Sequence, residues 1–364
     1  MEIAFFGSSL TSAYWNGAAT YYRGIIRALD ALGHRVTFYE PDAYDRQQHR
    51  DLEDPPWARV VVYSVENERA VYAAIEEARA ADLIVKASGV GVFDRLLERE
   101  VLNARRLGAL AAFWDVDAPA TLDRVGANPL DPFAALIPRY DLVLTYGGGE
   151  PVIRGYKNLG ARECVPVYNA LDPTTHHPVE ADPRFACDLA FIGNRLPDRE
   201  ARVDEFFFRA AAASPNHRFL LGGAGWSDKP KPANVRYMDH VYTRDHNASN
   251  ATPLAVLNVC RESMARYGFS SPPRVFEAAG AAGCLITDEW EGIEMFLEPG
   301  REVLVARDGL EVAEHLKSLT IERARAIGRA ALRRIAAEHT YAHRARQLEA
   351  VLDAHQSVCA GAAW

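Results

Sequence analysis

The stretch from residue 270 to residue 288 carries the side chains best suited to binding an anion. Ser271 is the expected N-cap of a helix whose first turn holds two prolines, and an alanine-rich run then leads to a glycine stop. Arg274 and Glu277 are three residues apart, so both lie on one face beside the positive end of this helix. A guanidinium there suits a phosphate, and a carboxylate suits a ribose diol. The stretch therefore predicts a nucleotide site, with an ordinary capped helix as the alternative.

A second group of polar side chains follows a predicted buried strand that ends at Gly193. Backbone and guanidinium donors at such a strand end can hold a diphosphate. Asn258 and Arg261 follow another strand and, in a parallel sheet, belong to the same edge. Three arginines, Arg195, Arg199 and Arg202, compete for the diphosphate contact, and the sequence leaves that choice open. The expected donor-binding set is Gly193, Arg195, Arg199, Asn258, Arg261, Ser271, Arg274 and Glu277.

The first half of the chain offers two carboxylates, Asp115 and Asp117, at the end of a predicted strand. This D-x-D spacing can chelate a divalent metal, but we interpret the pair as candidate catalytic groups, for acceptor binding or as a base. Helix capping and turn formation are the alternatives. No metal site is predicted.

The loop after the first strand contains Trp15, Asn16 and Gly17. It lacks the G-x-G-x-x-G spacing of a dinucleotide fold, which disfavours a dehydrogenase. Its hydroxyl groups and its aromatic ring suit a polyhydroxylated ligand, so these three residues are expected on the acceptor side. A surface loop whose tryptophan packs on the domain is the alternative.

The elements that position these residues are short β-rich runs alternating with helical patterns, which predict an α/β protein with two doubly wound, Rossmann-like domains facing each other across a cleft. Seven strands are expected at 2–7, 35–40, 59–65, 83–88, 109–116, 142–147 and 164–170, and six more at 188–193, 218–223, 235–239, 255–259, 284–288 and 302–306. The predicted divisions are an acceptor-side domain over 1–171, a proline-broken linker over 172–186, a nucleotide-sugar-binding domain over 187–338, and a last helix over 339–364 that packs back on the first domain.

Length and composition fit this organisation, because 364 residues suffice for two separate cores. The net charge of −8 disfavours a general nucleic-acid-binding function. The five cysteines show no C-x-x-C spacing, so neither a zinc site nor a disulfide framework is expected. The sequence shows no leader pattern and no membrane-spanning apolar run, and we expect a cytoplasmic protein.

Taken in order, these motifs resemble the CgeB-like glycosyltransferases, a branch of the GT-B superfamily, over nearly the whole chain. The matching segments are Trp15-Asn16-Gly17, Gly33-His34-Arg35-Val36, Asp115-Val116-Asp117-Ala118-Pro119, Tyr146-Gly147-Gly148-Gly149, 193–199, Leu257-Asn258-Val259 with Arg261, 273–283, His339-Thr340 and His343-Arg344-Ala345. The part from Arg274 to Glu277 is the most specific of them.

The resemblance implies that Glu277 contacts the donor ribose and that Arg195 and Arg199 neutralise the diphosphate. Phe269 stands where the wider retaining branch often has an acid that contacts the sugar, so backbone amides near Ser270 or another residue must take that role. The implied activity is transfer of a sugar from a nucleotide-diphosphate sugar, with a UDP-sugar expected, to an unidentified acceptor. The resemblance suggests retention of configuration; if the configuration is inverted instead, Asp115 or Asp117 is the candidate base. No metal and no cofactor are expected, because positioned arginines and a helix N-terminus already offset the charge of the departing diphosphate. A non-catalytic nucleotide-sugar sensor and a sugar-nucleotide epimerase remain the alternatives.

Overall fold

The computed structural model describes residues 1–14, 16–128 and 130–361, so Trp15 lies outside the described residues. The chain divides into two compact units. The first comprises Met1–Asn169 and the chain from Tyr341 onward, and the second comprises Ala170–Thr340.

The first unit is built on a seven-stranded sheet whose neighbouring strands all pair in parallel, in the order β3-β2-β1-β4-β5-β6-β7. Its strands are β1 (Glu2–Phe6), β2 (Arg35–Pro41), β3 (Arg59–Tyr63), β4 (Leu83–Ala87), β5 (Leu110–Asp115), β6 (Leu142–Thr145) and β7 (Cys164–Pro166). Its helices are α1 (Ala19–Ala31), α2 (Glu68–Ala78), α3 (Asp94–Ala104), α4 (Ala118–Ala127), α5 (Gly149–Asn158) and α13 (Tyr341–Gly361).

The second unit repeats the same winding in a six-stranded parallel sheet of order β10-β9-β8-β11-β12-β13. Its strands are β8 (Leu189–Ile192), β9 (Phe219–Gly222), β10 (Val235–Met238), β11 (Ala255–Asn258), β12 (Leu285–Asp288) and β13 (Leu304–Ala306). Its helices are α6 (Glu200–Val203), a π-helical segment (Asp204–Phe208), α7 (Arg209–Ala213), α8 (His246–Ala251), α9 (Glu262–Tyr267), α10 (Pro273–Gly280), α11 (Gly309–Ser318) and α12 (Ile321–Glu338).

The prediction of two doubly wound Rossmann-like domains is confirmed, with all thirteen expected strands present. The central strands β4, β5, β9 and β11 are buried along their whole length, because helices cover both faces of each sheet. Such strands read as continuous apolar runs, which is why the sequence pattern located them. The expected strand at 164–170 is shorter in the structure and ends at Pro166.

The stretch 172–186, for which a linker is predicted, lies within the second unit. Phe185 is fully buried in a small core cluster with Ala190 and Leu220. The chain enters and leaves this unit at adjacent positions, since the Leu171 N–H donates to the His339 carbonyl at 2.8 Å. The division of the chain therefore falls at residues 169–170 and 340–341.

The last helix of the chain, α13, packs against α1 within the first unit. Tyr341 fills the space above Gly24, where an added Cβ would meet its ring at 2.2 Å. Ala345, Leu348 and Leu352 are buried on the same side of the helix. Within the described residues, no helix is both long enough and apolar enough to cross a membrane.

Candidate functional site

Both sheets change winding direction between two central strands, β1 and β4 in the first unit and β8 and β11 in the second. In doubly wound sheets, ligands bind beyond the carboxyl ends of the strands at this switch point. Gly193 follows β8, and Arg261 follows β11 by three residues. The structure therefore brings these two predicted donor-side residues to the switch point of the second unit.

The loop after β8 is held by the loop after β9. The Gly193 N–H donates to Gly222, and the Trp226 Nε1–H donates to the Gly193 carbonyl at 2.7 Å. Gly223 has a φ of +115°, and a Cβ there would lie 2.5 Å from the Gly193 carbonyl. Only glycine allows two backbones to approach this closely. The Gly193 loop is thus a rigid platform at the end of β8.

Two guanidinium groups meet at this platform on the ring of Phe191. The Arg199 Cζ lies 5.5 Å from the ring centroid and the Arg274 Cζ lies 5.8 Å from it. Arg199 donates to the Asn194 carbonyl at 2.6 Å, and Arg274 donates to the Ile192 carbonyl. The Arg199 Nε is buried and has no hydrogen-bond partner among the described residues. Two cationic side chains, one on α10 and one at the start of α6, therefore lie on the same ring, and the Arg199 Nε–H has no acceptor among the described residues.

The charge of this pair is poorly compensated. Burial, and next the positive charge of Arg274, lower the pKa of Arg199 to about 10. Burial also lowers the pKa of Arg274, while Glu277 opposes that shift. Desolvated like charges disfavour each other, and an anion bound between them would relieve both costs. The arrangement is suited to a diphosphate.

The other two arginines of this region are engaged by carboxylates. Arg195 binds both oxygens of Glu200, at 2.8 and 2.6 Å, and also pairs with Asp228 at 3.0 Å. Arg202 pairs with the fully buried Asp288 at 2.7 Å and with Glu262. The Arg202 Nε, like that of Arg199, is buried without a hydrogen-bond partner among the described residues. Arg195 and Arg202 are nevertheless neutralised by carboxylates, whereas Arg199 has no ion pair with one among the described residues, so the structure favours Arg199 as the diphosphate ligand.

Asn258, expected at the ligand edge, is buried at the end of β11 instead. Its Nδ2 donates to the Thr287 Oγ1 at 3.0 Å and contacts Asp288 and Cys260. Burial raises the pKa of Asp288, while Arg202 opposes the rise. Asn258 and Arg202 thus belong to one polar network that joins β11, β12 and α6. Arg261, by contrast, stays at the surface and donates to Asp198.

The start of α10 differs from its prediction. The N-cap is Pro272 rather than Ser271, and no side chain caps the helix. The reason is that Pro272 takes an extended backbone and Pro273 already occupies the first helical position. Ser271 is fully buried beneath this turn. The neighbouring Ser270 Oγ is buried without a hydrogen-bond partner among the described residues.

Glu277 lies on the partly buried face of α10, one turn after Arg274. Among the described residues its carboxylate has no hydrogen bond or ion pair, although it interacts electrostatically with Arg274 and His246. Burial lowers the pKa of His246, and Glu277 opposes that shift. The rings of His246 and His176 stack with centroids 6.5 Å apart. Sequence reasoning missed both histidines, and no spacing in the sequence links residues 70 positions apart.

In the first unit, Asp115 is fully buried at the end of β5. Its carboxylate accepts from the Ser88 hydroxyl at 2.7 Å, from the Asp117 N–H at 3.0 Å and from the Tyr156 hydroxyl. These three hydrogen bonds engage the carboxylate oxygens of Asp115 and stabilise the turn between β5 and α4. Asp117, at the N-cap position of α4, is only partly buried and makes no side-chain cap. Of the two predicted catalytic carboxylates, Asp117 is the better placed to meet a ligand.

The hydroxyl-rich loop after β1 turns its polar groups inward. Asn16 donates to the Ser9 and Ser12 carbonyls and accepts from the Ser8 hydroxyl at 2.9 Å. The buried Glu40, at the end of β2, accepts from the Leu10 N–H and the Thr11 hydroxyl, both at 2.6 Å. These bonds organise the loop, and Gly17 is exposed beside it. Sequence reasoning missed Glu40, although a charged residue in an apolar strand was an available signal.

No cluster of three His, Cys, Asp or Glu side chains suited to a metal ion occurs among the residues that the structure describes. The four cysteines whose side chains are described, Cys164, Cys187, Cys260 and Cys284, are buried and unpaired. Metal independence stays a prediction.

The comparisons with known proteins agree with this fold. Residues 199–350 match a family model described as glycosyl transferase-like. Three solved structures are similar to this chain. Anabaena Alr3699/HepE in complex with UDP and glucose has a TM-score of 0.66 and 13% identity, and the match covers 97% of this chain and 100% of that one. Sucrose-phosphate synthase from Thermosynechococcus elongatus has a TM-score of 0.69 and 14% identity, with coverages of 98% and 100%, and a trehalose-6-phosphate protein from E. coli bound with UDP-2-fluoro glucose has a TM-score of 0.65 and 10% identity, with coverages of 97% and 99%. No curated protein sequence matches the chain at a significant level.

The solved structures show that the fold is GT-B. The glycosyl transferase-like sequence runs from Arg199 through the rest of the second unit, α10 included, and into α13 of the first unit.

Proposed function

We propose that the protein is a glycosyltransferase that binds a nucleotide-diphosphate sugar at the carboxyl edge of its second unit and transfers the sugar to an acceptor held by the first unit. The observation that carries this proposal is the meeting of Arg199 and Arg274 on the Phe191 ring, with the Arg199 Nε unsatisfied. Because this pair is partly buried and has no bonded carboxylate among the described residues, a diphosphate is the group that it suits best.

The donor proposed is a UDP-sugar. Similar GT-B structures contain UDP with glucose, UDP-glucose or UDP-2-fluoro glucose, which supports this choice. Arg199 and Arg274 would hold the diphosphate, the start of α10 would direct its positive end at it, and Glu277 would accept hydrogen bonds from the ribose diol. We also propose that the chain belongs to the CgeB-like branch and acts in the cytoplasm.

In the proposed reaction, the bond between the anomeric carbon and the diphosphate oxygen breaks as the acceptor oxygen bonds to the same carbon. Arg199 and Arg274 stabilise the charge that develops on the departing diphosphate, so the reaction as proposed needs no metal. For a retaining outcome, the acceptor proton passes to that diphosphate oxygen. For an inverting outcome, a carboxylate base would take that proton instead; the three donors on Asp115 leave it poorly suited to this role, so Asp117 would be the base.

The test is incubation of the pure protein with UDP-glucose and other nucleotide sugars in the absence of acceptor, after a thermal-shift panel has identified the nucleotide that binds. A ligand at 100 times its Kd should stabilise the fold by about 2.7 kcal/mol. Slow release of free UDP and sugar supports a transferase. Binding without turnover would indicate a sensor, and an isomerised donor would indicate an epimerase. Absence of nucleotide binding would contradict the proposal altogether.

A further inference from the structure

The second unit contains a cavity at the edge of its sheet opposite to the Gly193 loop. Four of its lining residues each immediately precede a strand: Asp188 before β8, Arg218 before β9, Leu254 before β11 and Cys284 before β12. The cavity therefore lies at the amino edge of four adjacent strands, whereas Gly193 lies at the carboxyl edge. Its volume is about 290 Å³. This is the space of about ten water molecules, which a ligand of about ten non-hydrogen atoms would fill.

Close backbone contacts beside the cavity fix the turn that forms one of its walls. A Cβ added to Gly283 would lie 2.3 Å from the Asn250 carbonyl oxygen, and one added to Gly328 would lie 2.0 Å from that of Ala282. Ala282 itself has a φ of 57°, which residues with a side chain seldom adopt. The turn after α10 is thus held between α8 and α12. The cavity beside it is lined largely by alanine, glycine and cysteine, whose short side chains leave the space unfilled.

Two cysteines give the cavity an apolar wall. Cys187 and Cys284 both line it, and both are buried and unpaired. Burial raises the pKa of each thiol to about 12, so both are neutral near pH 7. A neutral buried thiol packs like a small apolar group and is a poor nucleophile and metal ligand. Together with Leu254 and Ala324, this wall suits the hydrocarbon body of a ligand rather than a metal ion.

The charged residues that line the cavity are two arginines and one aspartate, Arg218, Arg325 and Asp188. Both arginines are exposed. Among the described residues neither guanidinium donates a hydrogen bond, and the Arg218 Nε only approaches Asp188 at 3.9 Å. The Asp188 carboxylate accepts instead from the Arg218 backbone N–H at 2.6 Å, while Arg325 interacts electrostatically with Glu322. The lining is therefore net positive in a protein whose net charge is −8, and it favours an anion.

We propose that this cavity binds a small organic anion with an apolar body, a medium-chain carboxylate. The carboxylate pairs with the guanidinium groups of Arg218 and Arg325, and the chain lies against Cys187 and Cys284. Arginine is well suited to a carboxylate because its parallel N–H donors match the two oxygens. Each methylene that leaves water for the apolar wall should strengthen binding about fourfold. The inference does not depend on the proposed function, because the cavity and the Gly193 loop lie at opposite edges of the sheet.

The test is isothermal titration of octanoate, which matches the cavity in size, into the full chain. We expect a single site. Acetate lacks the apolar body and octan-1-ol lacks the charge, so each should bind at least tenfold more weakly. Affinity should rise with chain length from butanoate to octanoate and then level off, because the cavity is full. A further rise of about fourfold per methylene from octanoate to dodecanoate would indicate adsorption to apolar surface and would overturn the inference.

Arginine variants locate the site. Arg218→Gln and Arg325→Gln should each raise the Kd of octanoate about two- to fivefold, as loss of one exposed ion pair allows. Arg329→Gln is the matched control, because Arg329 is exposed one turn further along α12 and does not line the cavity. It should bind octanoate like the wild type.

Octanoate should also bind equally well in the presence and absence of UDP. Competition between the two would place the anion at Arg199 and Arg274 and overturn the inference. The same conclusion would follow if the wild type does not bind octanoate, or if both arginine variants bind it like the wild type. Failure of UDP to bind would count against the proposed function alone, because the octanoate titrations are read without it.

Discussion

Arg199 and Arg195 are four residues apart on the same loop, yet replacement of each by glutamine should have opposite consequences. Arg199 is partly buried beside another cation, and its buried Nε lacks an acceptor among the described residues. Arg195 is 28% exposed and binds Glu200 and Asp228. We expect Arg199→Gln to lose nucleotide binding with little change in stability, and Arg195→Gln to lose stability with little change in nucleotide binding.

The magnitudes follow from these contacts. A hydrogen bond to a charged group contributes about 1.5–3 kcal/mol, so Arg199→Gln should raise the Kd of UDP about 10- to 150-fold. Its lost bond to Asn194 is offset by relief of the repulsion with Arg274, so the free energy of unfolding should change by less than about 1 kcal/mol. Ion pairs between exposed groups stabilise a fold only weakly, but Arg195 makes two of them, with Glu200 and Asp228, so Arg195→Gln should lower the urea midpoint by a small, measurable amount.

Isothermal titration calorimetry with UDP measures the first quantity, and urea denaturation followed by circular dichroism measures the second. Both variants are examined in both assays, so each serves as the control for the other. Loss of UDP affinity in Arg195→Gln with retention in Arg199→Gln would refute the assignment, because it would mean that Arg195 releases its carboxylates to bind the diphosphate.

Three further outcomes are expected. Glu277→Ala should weaken nucleotide-sugar binding by roughly 1.5–3 kcal/mol with little loss of fold, and unchanged donor affinity by calorimetry would remove Glu277 from the site. Chelation with EDTA should leave turnover intact, whereas activity abolished by EDTA and restored by magnesium would make Asp115 and Asp117 metal ligands after all. Burial lowers the pKa of His246 below its usual 6.5, against the opposing Glu277 and with His176 and Arg274 also nearby, so its contribution to stability is present above pH 6.5 and is lost as the pH falls. His246→Gln should therefore flatten the fall in unfolding free energy between pH 7 and 5, and an unchanged slope in denaturant titrations would contradict the burial argument.

The sheets were predictable because each strand carries its own signal. Strands buried on both faces are largely apolar, apart from Lys86 in β4 and the polar residues that end β5 and β11. Turn residues separate these strands from the helices, so neighbouring residues suffice to locate them. The start of α10 was predictable to within one residue for a similar reason, since the two prolines act locally. Serine commonly caps helices, which favours Ser271 as the N-cap in the sequence. In the structure, the extended backbone of Pro272 places the N-cap one residue later.

The roles of the arginines were not predictable, because they depend on partners that lie far along the chain. Arg202 is engaged by Asp288, 86 residues later, and Arg195 by Asp228, 33 residues later. A sequence shows an arginine after a strand but not the carboxylate that will reach it.

The arginines at the end of β8 differ in whether a carboxylate is bonded to them, and this difference bears on how the site would stabilise a diphosphate. Arg195, Arg202 and Arg261 each bind an acidic side chain, and those contacts fix the loop and the polar network behind it. Arg199 and Arg274 remain on one aromatic ring, where the folded state alone gains nothing from placing two cations together. Their positions are fixed by backbone carbonyls rather than by counter-charges. Donors held in this way need no rearrangement when negative charge develops on a leaving diphosphate. The two cations repel each other, and both attract that negative charge.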